Sequence, residues 1–250
     1  HGAKSRLDRE GRQRQERRPV ERPPERLRER RFVTGSGAVT LSGAGTWSNG
    51  TLGGGAGSLT VVTGGVLDVT AGGHTVSTGY TLGTSGTGRV KLSGADIGFA
   101  GTGSKFVNAG VLEFAGDFSL SEGGNSNFDN KATGVVTKTQ GAGTSTIGLS
   151  NGSDAGGSYV VSAGKLRLAG GGTFTGTGTI TASGGGTLAF GNNNGNLAGL
   201  TATGGTRLCL PQPFQRQLTM ELVEVTRCSP EIVGCKTLIT RSHCRTASPV

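Results

Sequence analysis

The apolar positions of this chain recur in a short motif, Gly-x-apolar-x-apolar, rather than in long runs. It appears as Gly65-Val66-Leu67-Asp68-Val69, Gly88-Arg89-Val90-Lys91-Leu92, Gly110-Val111-Leu112-Glu113-Phe114, Gly164-Lys165-Leu166-Arg167-Leu168 and Gly186-Thr187-Leu188-Ala189-Phe190. A degraded copy is Gly134-Val135-Val136-Thr137-Lys138. The third positions of the pentads fall at 67, 90, 112, 136, 166 and 188, evenly spaced except for one long step between 136 and 166. Phe106 and Asn108 recur one period later as Phe128 and Asn130. Period-two alternation predicts a short strand at each pentad. One such strand cannot bury its apolar side, but the same strand stacked from successive coils buries a continuous column. The long step contains the polar run Asn151-Gly152-Ser153-Asp154-Ala155-Gly156-Gly157, which the repeat assigns to a loop.

The predicted fold is all-β: a right-handed parallel β-helix, or β-solenoid, with coils of about 22 residues over residues 33–206. Handedness follows the general bias of parallel β connections. Roughly eight three-sided coils fit that span, with glycine supplying positive-φ corners. The inward positions are Leu67/Val69, Val90/Leu92, Leu112/Phe114, Val136/Lys138, Leu166/Leu168 and Leu188/Phe190. Lys138 is out of character in this set, and a bulge or an end of the column is expected there. The outward fourth positions are Asp68, Lys91, Glu113, Thr137, Arg167 and Ala189, whose first three alternate in sign and favour pairing between neighbouring coils. Asn108 and Asn130 fit either a stacked amide ladder or two turn residues.

Composition divides the 250 residues into three parts. Residues 1–32 hold 12 Lys/Arg against 6 Asp/Glu, residues 33–206 hold 7 against 7, and residues 207–250 hold 6 against 3. Of the 49 glycines, 46 lie in the middle part. The net charge of +9 therefore belongs to the ends. Residues 1–32 interleave Arg with Glu around Pro19, Pro23 and Pro24 and read as a disordered basic flank. Their interleaved acids and scarcity of aromatics argue against a nucleic-acid-binding arm. Residues 207–250 form a Cys-containing tail, compatible with a cap, built on Met220 to Val225, or with a non-native extension. No apolar run is long enough to span a membrane. A first residue of His1 and a sole Met at Met220 read as a processed or truncated piece.

The stretches 41–54, 57–73, 105–116 and 165–190 resemble the secreted β-solenoid repeats of bacterial surface proteins, in particular autotransporter passenger domains and related adhesins. The resemblance covers about residues 33–206. It implies export, an extracellular or bacterial outer-surface location, and adhesive contacts with host or abiotic surfaces or glycans. It implies no specific small molecule, and membrane attachment only through a separate anchor or barrel. No catalytic, cofactor-binding or metal residue carries over.

The residues themselves offer few other chemistries. A carbohydrate-active β-helix, a polysaccharide lyase or hydrolase, is the competing reading, and its nearest patch is Asp68, Lys91 and Glu113. Alternating solvated charges give a general base no shifted pKa, so the patch reads as a solvated face. The run from Gly98 to Lys105 approaches a phosphate loop, with Ser104-Lys105 in the wrong order. Thr173, Thr175, Thr177, Thr179 and Thr181 suggest an ice-binding strand that no neighbouring coil repeats. His74 reads as a turn or surface residue, and Trp47, Tyr80 and Tyr159 as core or corner packing rather than sugar platforms. Cys209, Cys228, Cys235 and Cys244 are compatible with two disulfides in any pairing or with free thiols. A zinc site at Cys228, Cys235, His243 and Cys244 has non-standard spacing. The expectation is a non-catalytic structural or adhesive segment that presents a stacked Thr/Ser/Asn-rich face and carries no cofactor.

Overall fold

Each pentad does form a strand, and the strands stack in parallel. The computed structural model describes residues 32–154, 156–170, 172–174, 179–182, 185–190, 201–203, 207–210, 224–227 and 236–238. Strands are numbered β1 to β24 in chain order, and they fall on three faces.

The first face stacks β2 (Ala38–Leu41), β5 (Ser58–Val61), the start of β8 (Thr81–Leu92), the start of β10 (Lys105–Ala115), β12 (Asn127–Asn130), β15 (Ser150–Asp154) and β18 (Gly172–Phe174). On the second face are β3 (Ala44–Trp47), β6 (Val66–Val69), the ends of β8 and β10, β13 (Val135–Gln140), β16 (Ser158–Val161), β19 (Thr179–Ala182) and β21 (Thr201–Thr203). The third runs β1 (Phe32–Thr34), β4 (Gly50–Gly53), β7 (His74–Ser77), β9 (Ile97–Ala100), β11 (Leu120–Glu122), β14 (Thr144–Ile147), β17 (Lys165–Leu168), β20 (Thr187–Phe190), β22 (Arg207–Leu210) and β23 (Glu224–Arg227). Among the described residues every pairing is parallel except that of β23 with β24 (Lys236–Leu238), which is antiparallel.

This is a three-sided β-solenoid. Six consecutive coils occupy residues 38–168, and the pairing continues through β18 to β22. On the second face Val66, Arg89, Val111, Val135 and Ser158 stand in register, one from each successive coil.

The inward positions are buried as expected. Leu67, Val69, Val90, Leu92, Leu112, Phe114, Val136, Leu166, Leu168, Leu188 and Phe190 all belong to the core. Trp47, Tyr80 and Tyr159 are buried too, so none offers a ring face to a sugar.

Face assignment departs from the sequence reading. Val136 pairs with Tyr159, one ordinary coil on, while the pentads at Gly164 and Gly186 sit on the third face, where Leu166 pairs with Ser145 and Leu188. The long step is therefore a change of face. The polar run at 151–157 is no inserted loop: most of it is β15 and the corner after it, stacked on β12. Arg167 and Ala189 consequently leave the outward column of Asp68, Lys91, Glu113 and Thr137. The threonine run is likewise divided, with Thr173 in β18 and Thr179 and Thr181 in β19.

Positive φ occurs at glycines such as Gly64 (83°) and Gly79 (73°), as tight corners require. Of the six pentad glycines Gly164 also has positive φ (56°), but the other five serve a different need. A Cβ at Gly65, Gly88, Gly110, Gly134 or Gly186 would lie 2.1–2.5 Å from a carbonyl oxygen of the preceding coil. Only hydrogen at Cα lets the coils approach to strand-pairing distance at that corner.

Candidate functional site

The Asp68–Lys91–Glu113 column is stacked as expected, but its bonding differs. Glu113 is paired with Arg89 at 2.5 Å and accepts a hydrogen bond from Thr139 Oγ1 at 3.0 Å. Asp68 accepts from Ser93 Oγ at 2.6 Å. Arg89 is in register with Val111, so it meets Glu113 on the diagonal, two positions along the neighbouring strand. A long guanidinium side chain spans that diagonal, and the ion pair bypasses Lys91.

Among the described residues a concavity lies at the corner between the second and third faces. It is an open groove of about 570 Å³, lined by Gly72, Gly73, Gly94, Asp96, Asp117 and Phe118 among others, with His74 at its base. Bare glycine backbone forms much of its floor. Its carboxylates are committed to holding the corners: Asp96 Oδ1 accepts from Ser119 N at 2.8 Å, and Asp117 Oδ2 from Gly143 N at 3.0 Å. The hydrogen bond from Lys138 is the main reason that the Asp117 carboxyl lies below its usual range.

His74 corrects an expectation. It is a buried core residue, only 4% exposed, and its ring meets Trp47 edge-on with centroids 4.7 Å apart. Nε2 lies 2.8 Å from Trp47 O, and a carbonyl only accepts, so Nε2 carries the proton. Nδ1 is then a bare acceptor, buried with no hydrogen-bond partner. Burial pushes the imidazole pKa down, against the opposing pull of the Trp47 and Asp96 backbone. The signal in the sequence was the alternation His-Thr-Val-Ser, which puts His74 on the same side as Val76.

Lys138 carries the most unusual environment. It is fully buried in the inward column between Phe114 and Val161, not at an end. The expected bulge is there: Phe114 pairs with Lys138 but Ala115 with Gln140, leaving Thr139 as the extra residue. Nζ lies 2.9 Å from Gly116 O, 2.8 Å from Asp117 Oδ1, 2.9 Å from Gln140 O and 3.2 Å from Ser145 Oγ. An ammonium has three donors, so these four acceptors saturate it.

The amide ladder also forms. Thr84 Oγ1 donates to Asn108 Oδ1 at 2.7 Å, and Asn108 Nδ2 donates to Asn130 Oδ1 at 2.8 Å, inside the column. Ser104 and Ser126 make a second rung, 3.0 Å apart.

The remaining motifs resolve simply. Gly98 and Lys105 belong to two successive strands, β9 and β10, and no helix N-terminus stands between them to cradle a phosphate. Among the described residues no three His, Cys, Asp or Glu gather as metal ligands. Cys209 lies in β22, in register with Ala189 and Thr226. Cys228, Cys235, His243 and Cys244 lie outside the described residues, as do the flank 1–31 and Met220 to Val223. Also among the described residues, no helix is long and apolar enough to cross a membrane. No protein-family model, curated protein or solved structure matches this chain.

Proposed function

We propose that this chain is a non-catalytic structural and adhesive segment of an exported bacterial surface protein, making many weak contacts with glycans or surfaces along one face. The observation that carries this reading is the outward grid on the first face. Ala38, Ser58, Thr81, Lys105, Asn127 and Ser150 stand in one row, and Thr40, Thr60, Gly83, Val107 and Asp129 in the next. Strand spacing sets the rungs about 4.8 Å apart and the rows about 6.6 Å apart. Small hydroxyl and amide groups at such spacing are suited to repeated contacts with a polyhydroxylated chain or a hydrated surface. The buried polar groups, by contrast, are spent on stacking: Lys138, Asn108, Asn130 and Ser126 all bond across coils.

The test is adsorption of the full chain to a glycan panel and to coated surfaces, alongside Ser58→Arg/Thr60→Arg on the first face and Thr75→Arg on the third. The expected result is at least a tenfold loss for the first-face variant alone. Equal losses from both faces, or no adsorption by the parent chain, would overturn the reading.

A further inference from the structure

We propose that the junction between the fourth and fifth coils is a built-in seam, hinged along the first face and closed by a Lys138–Asp117 clasp, at which the solenoid opens before it opens between the second, third and fourth coils. This does not depend on the adhesive reading.

The three faces treat this junction very differently. On the first face the stack is unbroken: Lys105, Phe106, Val107 and Asn108 pair in order with Asn127, Phe128, Asp129 and Asn130. The Ser104–Ser126 and Asn108–Asn130 bonds and the Phe106–Phe128 stack, with centroids 5.9 Å apart, reinforce that side. On the second face pairing holds from Val111 to Phe114 and then slips by one residue. On the third face it almost disappears. β11 and β14 share the single register pair Leu120–Ile147, whereas β7 with β9, β14 with β17 and β17 with β20 each pair along their whole length.

The cause is a displacement of strands along the face. In β9 and β11 the strand begins at the residue, Ile97 or Leu120, that aligns with the last residue of β14, Ile147. The start of β14 therefore runs beside the corner 115–119 instead of a strand. Side chains replace the missing ladder there. Asp117 Oδ2 accepts from Gly143 N, Ser119 Oγ accepts from Thr146 N at 3.1 Å, and Ser145 Oγ donates to Gly116 O at 2.9 Å. Lys138 reaches from the fifth coil to Gly116 O and Asp117 in the fourth, while also binding Gln140 O and Ser145 in its own. An apolar residue at 138 would remove the donor to Asp117 and Gln140 O and leave Gly116 O with the Ser145 hydroxyl alone, which explains a lysine in an apolar column.

A boundary held by side-chain bonds at one corner and by a full ladder only on the opposite face is drawn from the low-stability end of the opening spectrum. Opening would swing the coils apart about the first face, leaving the blocks on either side folded.

Native-state hydrogen exchange on the full chain, with peptide-level mass readout, tests this. Amides of 116–122 and 139–149 should open at least tenfold more often than those of 81–92 and 105–109. Lys138→Met should raise exchange in those two segments a further tenfold or more, leaving 58–92 unchanged. Asp117→Asn, which keeps an acceptor for Lys138 but loses the charge, should give a smaller rise in the same segments and serves if Lys138→Met fails to fold. Equal protection on both sides of the junction, or variants that accelerate every segment alike, would overturn the proposal.

Discussion

Alanine at Gly88 probes the packing rule on which the coil repeat depends. A Cβ there would lie 2.1 Å from Val61 O, 2.6 Å from Val61 C and 2.7 Å from Val62 O, all backbone of the coil beneath. Ordinary contact begins at 3.4 Å, so the two coils must separate locally by roughly 1 Å. Strand spacing in a sheet is about 4.8 Å and tolerates no such step. The adjacent bond from Arg89 N to Gly65 O, now 3.0 Å, would pass out of range. Losing about two ladder bonds at about 1 kcal/mol each, plus about 1–3 kcal/mol of overpacking strain, gives a destabilisation of about 3–5 kcal/mol. The matched control is Gly43→Ala, where nothing lies within 4 Å of the added methyl and φ is not left-handed. Removing backbone freedom from the unfolded chain should there stabilise by about 0.4–1 kcal/mol. Urea unfolding of the full chain, followed by far-ultraviolet circular dichroism and compared at equal m, reads both variants. A Gly88→Ala midpoint indistinguishable from the parent, or a Gly43→Ala loss as large as that at Gly88, would refute the close-approach reasoning.

Two further outcomes follow from buried groups without partners. Tyr80 is 1% exposed and its hydroxyl has no hydrogen-bond partner, so Tyr80→Phe should stabilise by about 1 kcal/mol in the same urea assay; a loss of stability would show that the hydroxyl is satisfied. The folded pKa of His74 is depressed below its ordinary 6.5, so the unfolded chain takes up more protons as pH falls below that value. Stability should accordingly be full above about pH 7 and decline toward the folded pKa. His74→Gln, which keeps a donor for Trp47 O, should flatten that decline, and an unchanged pH dependence would exclude His74 as its source.

Much of this architecture was legible because the pentad encodes both strand and stacking corner. Inward and outward positions follow from period-two alternation alone, and all of the inward set is buried. The recurrence of Phe106/Asn108 as Phe128/Asn130 offered an amide ladder as one of two readings, and the ladder forms, together with a stacked Phe106–Phe128 pair that the recurrence alone did not specify. What alternation does not encode is which face a strand joins. The pentad at Gly164 has the same pattern as that at Gly110, yet one starts a third-face strand and the other runs along the second face. Any side of a three-sided coil needs the same half-apolar strand, so the motif is free to move between sides while the length of the coil is kept. The charged contacts were hidden for a related reason: the pairing of Glu113 with Arg89 rather than Lys91 depends on side-chain reach across a diagonal.

Lys138 joins these two lessons. Its place in an apolar column signalled an irregularity, and an irregularity is there, but nothing in the residue pattern indicates that it extends across two faces. The face change and the buried lysine occur at adjacent coils, as one would expect if they share a cause. Shifting the third-face strand relative to its neighbours moves the pentad onto that face and strips the ladder from the corner at 115–119. Gly116 O and the Asp117 carboxylate at that corner then take a donor from inside the column, and Lys138 supplies it. On this reasoning the dislocation and the lysine must change together. Replacing Lys138 alone exposes the seam. Restoring an apolar residue there without cost would require the third-face strand to return to the register of β9 and β11, with Asp117 and Gly143 no longer in contact.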